Sequence, residues 1–193
     1  MHRRAEKVLY LRKKSNMRLE HFLSEISPRI IKKWREEIIK TYPEDGQHFL
    51  GKEKDQFANP VGYVITTEIE PLFNELIKDD GGDKDKIYST LDSIVKIRAI
   101  QDFKPSRAIG FILQLKEIIR KEFDAKVQPN GLSAELKALE NKIDNIALLA
   151  FDIYMQCRQK IYEIRVNEVK NQVGKLLERA NLLSEIPDMK PGL

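Results

Sequence analysis

Between Ser133 and Pro187 a single residue, Gly174, breaks what otherwise reads as one long amphipathic helix from Ser133 to Leu183, and this segment constrains the fold more than any other. At 1.5 Å per residue, a continuous helix over that span is a rod of roughly 75 Å, longer than a small domain is wide. Part of it must leave whatever core the preceding residues build. A helix that starts in a domain and runs out of it serves as a connector or an assembly device. From Ile146 to Met155 apolar residues lie nearly all round, the pattern of a helix surrounded by others and hence the expected spine of a bundle. Beyond Cys157 the phase slips, and Tyr162, Val166, Val169, Val173, Leu176, Ala180 and Leu183 follow 4-3-4-3-4-3 spacing. Val at the a positions with Leu at two d positions is the pattern of a parallel two-stranded coiled coil, although Arg165 and Lys170 would repel across the g and e′ flank. The six residues from Tyr162 to Ala180 are therefore the expected face for self-association or for a partner.

The preceding residues supply helices for that spine. A short helix is expected over 17–25. Ser27 as cap and Pro28 at the first helical position then open a second, with Ile30, Ile31, Trp34, Ile38 and Ile39 as its stripe, ending at Tyr42-Pro43. Residues 44–59 read as a packed loop with Phe49 and Phe57 as anchors. Pro60 opens a third helix that Pro71 should bend or break. An Asp- and Gly-rich loop over 79–85 leads to a fourth helix at about 86–101, a fifth runs from Pro105 to about Phe123, and Ser133 caps the last. No run of strict alternation is long enough for a strand, so the expected fold class is all-α, a helical bundle with a long C-terminal helix extending from it. The expected organisation is a basic, disordered arm (1–16), a helical domain (17–160), a helical connector (161–186) and a tail (187–193).

Charge narrows the functional classes. Of the net +4, residues 1–16 contribute +5, with six Lys/Arg against Glu6, and the remaining chain carries −1. Its body is thus no basic nucleic-acid binder, and no nucleic-acid partner is expected. No window approaches the ~18 apolar residues of a membrane span. The lone Cys157 suits a reducing cytoplasm, the expected location. His2, His21 and His48 all precede the third helix, leaving no proximal haem ligand where a globin-like arrangement would want one. Asp79, Asp80, Asp83 and Asp85 lack the spacing of a calcium loop, and neither CxxC, HExxH nor a phosphate-binding glycine loop occurs. No cofactor, metal site or catalytic residue is expected, and the chain does not read as an enzyme. The charges that stand out are Arg98, on the Leu91–Ile94 side of the fourth helix, and Asp152, flanked at helical spacing by Leu148, Leu149 and Met155. A charge in an apolar helix must be paired, so Asp152 is expected to bridge to Arg98 or Arg107 inside the bundle. With Asp102 these form the candidate buried polar pair or pocket.

Three elements carry a resemblance. Phe57-Ala58-Asn59-Pro60-Val61-Gly62, then Ile97-Arg98-Ala99-Ile100-Gln101-Asp102-Phe103 with Pro105-Ser106, then Ala150-Phe151-Asp152-Ile153-Tyr154-Met155-Gln156-Cys157-Arg158 together resemble the RsbRD N-terminal domain family. That family supplies input domains to stressosome-type RsbT co-antagonists and to some sensor kinases. The resemblance implies a compact helical input domain, related to the haem-free globin-like domains of stressosome proteins, whose last helix leads to an output module. The chain stops at Leu193 without a STAS domain or kinase, so it is expected to act as a stand-alone sensor or adaptor. Its implied partners are STAS-domain or kinase proteins and a second copy of itself. The alternative is an accessory or assembly factor of a redox enzyme complex, such as a sulfur-respiratory one, gripping its client by the terminal helix.

Overall fold

The computed structural model describes residues 18–52, 55–124 and 132–180. Among them are six helices and no strand: α1 (Leu19–Lys40), α2 (Glu44–Lys52), α3 (Pro60–Leu76), α4 (Lys84–Ile100), α5 (Pro105–Asp124) and α6 (Ser133–Arg179). The all-α fold with its long last helix is as expected. The basic arm 1–16 and the tail 187–193 lie outside the described residues, as does Leu183 of the heptad.

The two helices expected at the start are one. Leu19, Phe22, Leu23, Ile26, Ile30, Ile31, Trp34 and Ile38 form a single buried stripe that runs in phase through Pro28. Proline in a helix interior costs about 3 kcal/mol, and burying one such side chain returns about 1.5–3. Sequence supplies a remedy on the spot. Pro28 leaves the Ser24 carbonyl without its N–H donor, and Ser27 Oγ donates to that carbonyl at 3.0 Å.

Residues 44–52 also depart from expectation, forming α2 where a loop was predicted. Glu44 and Asp45 suit a helix N-terminus, and Gly46 and Gly51 weaken the helix without ending it. Phe49 and Phe57 are exposed and anchor nothing; Leu50 packs on the core instead. Asn59 fastens the next junction. Its Oδ1 accepts the Gly62 N–H at 2.8 Å, and its Nδ2 donates to the carbonyls of Phe49 and Leu50 at 3.3 and 3.4 Å. Pro71 lies within α3 and does not end it.

Helix α3 lies on α4, α1 on α5 and α3, and α6 on α5 and α4. Trp34 fills the centre, stacked on Phe111 at 6.0 Å and donating from Nε1 to the Phe111 carbonyl at 2.7 Å. Three buried carboxylates reach cations at the surface: Glu122 meets Arg29 and Lys33, Glu140 meets Arg120, and Glu75 meets Lys78 and Lys86. Lys142 of α6 donates to the Leu76 carbonyl at 2.8 Å and so closes the end of α3. No side chain of Ser133 caps α6; Leu132 precedes the helix, and Glu135 in its first turn accepts the Leu19 N–H at 2.7 Å.

The expected spine is corrected. α6 buries Leu139, Ile143, Ile146, Ala147, Ala150, Ile153 and Tyr154 on one side, while Leu148, Phe151 and Met155 are exposed on the other. The helix lies at the edge of the bundle, covered chiefly by α4 and α5, so its all-round apolarity leaves a greasy outer face.

Candidate functional site

Two features meet where α6 leaves the bundle. One is the exposed face of the helix. Tyr154 is the last buried side chain of α6, and Cys157, Arg158 and Ile161 are half-buried. From Tyr162 to Ala180 every residue but Gly174 is exposed, a projecting stretch of about 27 Å. Tyr162, Val166, Val169, Val173 and Leu176, expected as an association face, are between 47% and 62% exposed in the single chain. Ala180 follows as the C-terminal cap residue. This face does not begin at Tyr162. Leu148, Met155, Tyr162, Val169 and Leu176 recur at seven-residue intervals and all are exposed, so the seam runs back along the bundle's outer side. Asp152 and Gln159 occupy the intervening a-type positions that Val166 and Val173 fill further on.

The other feature is a buried arginine. Arg98 is fully buried on α4, as its apolar flank predicted. Its expected partner is elsewhere: Asp152 is exposed on α6 and does not bridge to it. Of the three residues that flank Asp152, Leu149 packs on the core but Leu148 and Met155 belong to the outer seam, so an apolar neighbourhood on the helix did not mean the interior. Rings surround the guanidinium instead. Its Cζ lies 4.5 Å from the centroid of Phe103, 5.4 Å from that of Tyr42 and 5.5 Å from that of Phe111. A cation–π contact is worth about 0.5–1 kcal/mol at exposed sites and about 2 kcal/mol when the cation is desolvated, as Arg98 is. Nη2 donates to Thr41 Oγ1 at 2.9 Å and to the Arg107 carbonyl at 2.8 Å, whereas Nε and Nη1 have no acceptor. Burial lowers the pKa of Arg98, and the nearby Tyr42 hydroxyl opposes that shift. Burial correspondingly raises the Tyr42 hydroxyl, with Arg98 holding it back.

A turn of residues 101–104 ties the two features together. Asp102 takes φ +60°, outside the ordinary range for a non-glycine residue. Tyr154 Oη donates to the Phe103 carbonyl. Arg158 makes three contacts: with Asp102 Oδ1 at 2.6 Å, with the Ala99 carbonyl at 3.2 Å and with Tyr162 Oη at 2.8 Å. Its guanidinium also lies 4.9 Å from the Tyr162 ring. Arg107 is exposed, with its Cζ 5.8 Å from the Phe103 ring. Of the four charges expected to share a pocket, Arg98 and Arg107 do flank one ring, Asp102 pairs outward with Arg158, and Asp152 stays apart. Tyr42, Phe103, Tyr154 and Arg158 were missed by sequence reasoning. Only the Arg158–Tyr162 contact had a legible signal, its i,i+4 spacing; the others join separate helices.

Among the described residues no cluster of His, Cys, Asp and Glu is arranged to hold a metal ion, and no helix is long and apolar enough to cross a membrane. The loop aspartates do turn chemistry instead: Asp83 Oδ1 accepts the N–H groups of Asp85 and Lys86 to cap α4, and Asp80 Oδ1 accepts the Gly82 N–H.

A family model described as the RsbT co-antagonist protein rsbRD N-terminal domain matches residues 28–169. The chain is also 23% identical over 144 residues to a protein of Archaeoglobus fulgidus described as uncharacterized, covering 72% of this chain and 82% of that one. No solved structure matches the chain.

Proposed function

The chain belongs to the family of RsbT co-antagonist protein rsbRD N-terminal domains, and from that membership we propose that it is a non-enzymatic, cytoplasmic input domain of stressosome-type signalling that works as a homodimer. The observation that carries this is the exposed seam of α6, apolar at seven-residue intervals from Leu148 to Leu176. A solvent-exposed apolar stripe on a helix that protrudes from its domain is stable when another helix covers it. The connector beyond Ile161 then transmits a change in the bundle to an output protein. STAS-domain or kinase proteins are the expected recipients, engaged through the same helix. The input acts through the root of α6, where Tyr154 and Arg158 hold the 101–104 turn.

The test is the solution mass of the wild-type chain and of Val169→Asp, measured by light scattering on a size-exclusion column. A charge at a central seam position should reduce a dimer to monomers while the helical circular dichroism of the bundle persists. Equal masses for the two proteins would remove the dimer. Capture of the tagged chain from its own cells then identifies the recipient. STAS-domain or kinase partners support signalling; a respiratory or redox enzyme as sole partner supports the accessory-factor role instead.

A further inference from the structure

The 101–104 turn packs the Phe103 ring against the buried cation of Arg98. Among the described residues no carboxylate pairs with Arg98, and its Nε and Nη1 hydrogens are buried without an acceptor. Leaving a buried charge and its donors unmatched carries a large desolvation cost, which an apolar side chain of similar volume would avoid. Ring faces offset part of that cost, but they leave the charge and the N–H groups available to a better partner. The nearest ring, that of Phe103, meets Tyr42 edge-on at 5.0 Å, but of the three rings it alone is not fully buried. Phe103 is only half-buried, follows the positive-φ Asp102, and has two guanidiniums near its ring, the buried Arg98 at 4.5 Å and the exposed Arg107 at 5.8 Å.

We propose that a small carboxylate or inorganic oxyanion binds between Arg98 and Arg107 in place of the Phe103 ring, with the 101–104 turn as the lid of that site. The site would be the sensing element of the input domain, and in that sense it rests on the function proposed above. An anion there takes the unused donors and neutralises the buried charge, whereas the closed turn offers them only a π face. Its affinity for the open turn therefore exceeds that for the closed one, which is what a ligand needs in order to shift a two-state element. Opening also has a route outward. Moving residues 102 and 103 breaks the Tyr154–Phe103 hydrogen bond and the Asp102–Arg158 ion pair, the two ties between the turn and the root of α6. Arg158 continues to Tyr162, the first seam residue of the projecting stretch.

The experiment titrates the full chain with sodium acetate, sulfate and phosphate at fixed ionic strength, using chloride as the reference salt. Melting temperature and the fluorescence of the single tryptophan are followed; Trp34 stacks on Phe111, whose ring is 5.5 Å from the Arg98 guanidinium. A saturable rise in melting temperature with at least one oxyanion is expected. A response to acetate indicates a carboxylate ligand, and one to sulfate or phosphate an inorganic oxyanion. Arg98→Met should weaken that response about tenfold or more, the loss that accompanies removal of a charge-assisted hydrogen bond. Phe103→Ala should strengthen it several-fold, because the ring no longer has to be displaced; a ring with a purely structural role would give lower stability and no gain in binding. No saturable response in wild type and in Phe103→Ala overturns the site, as does an unaltered response in Arg98→Met. If Arg98→Met does not fold, the comparison of wild type with Phe103→Ala decides. Loss of the anion response with seam-dependent dimerisation intact would sink the site alone and leave the input-domain function standing.

Discussion

Glu75 is buried at the end of α3 and is held by both backbone and cations. Its carboxylate accepts the Asp83 N–H at 3.0 Å and meets Lys78 and Lys86 at 2.6 and 3.3 Å, while its own carbonyl lies where a Cβ on Gly82 would be only 2.3 Å away. The Asp83 N–H first, then Lys78, holds its pKa at about 2 against an ordinary 4.5. A carboxyl depressed on folding contributes stability that is present above the unfolded pKa and lost as pH falls through the folded one. The melting temperature should therefore drop between pH 4.5 and about 2, and Glu75→Gln should flatten that limb while lowering stability at neutral pH. Parallel acid limbs in the two proteins would contradict this assignment. Gly62 makes a steric prediction at the same scale. A Cβ there would lie 2.1 Å from Asn59 Nδ2 and 2.6 Å from the Leu50 carbonyl, so Gly62→Ala should cost about 1–3 kcal/mol in denaturant unfolding by displacing the cap. Neither position announced itself beforehand. A glycine in the first turn of α3 and a glutamate near its end are ordinary until the elements that crowd them are in place.

Among elements, α6 is the one whose two faces differ most in consequence. Its inner face is bonded to the bundle by Tyr154 and Arg158, and its outer face continues the seam back to Leu148. Asp152 and Gln159 interrupt that seam at the two a-type positions nearest the bundle. In a parallel dimer Asp152 would face its own copy, so Asp152→Leu should tighten self-association by about tenfold or more in sedimentation equilibrium. An unchanged dissociation constant would confine pairing to the projecting half. Arg158→Gln leaves the helix intact but removes the ion pair to Asp102; it should raise amide hydrogen exchange at residues 101–104 and leave α1–α3 unaffected. The helices themselves were largely readable, because stripe, cap and breaker are local properties. Where reading failed, at Pro28 and over Glu44–Lys52, a neighbour compensated for the breaker: Ser27 Oγ in one case and packing of Leu50 in the other.

For the whole molecule, bundle and seam share one helix, and their stabilities should therefore be linked. If a second chain covers the seam, the melting temperature of the wild type should rise with protein concentration, and that of Val169→Asp should not. Composition and periodicity alone determined that this chain is all-α, that its last helix is too long for its bundle, and that the helix carries a heptad beyond Cys157, since each is written in the order of neighbouring residues. Burial of Arg98 was legible for the same reason. Tertiary structure alone decided which side of Ile146–Met155 meets solvent, because a segment apolar all round fits an edge as well as a centre until α4 and α5 are placed against it. It also decided what surrounds Arg98. Thr41 is 57 residues away in the chain, and Phe103 and Tyr154 are 51 apart. Helical spacing reports neighbours only within a turn or two, so contacts across such separations exist only once the helices have packed.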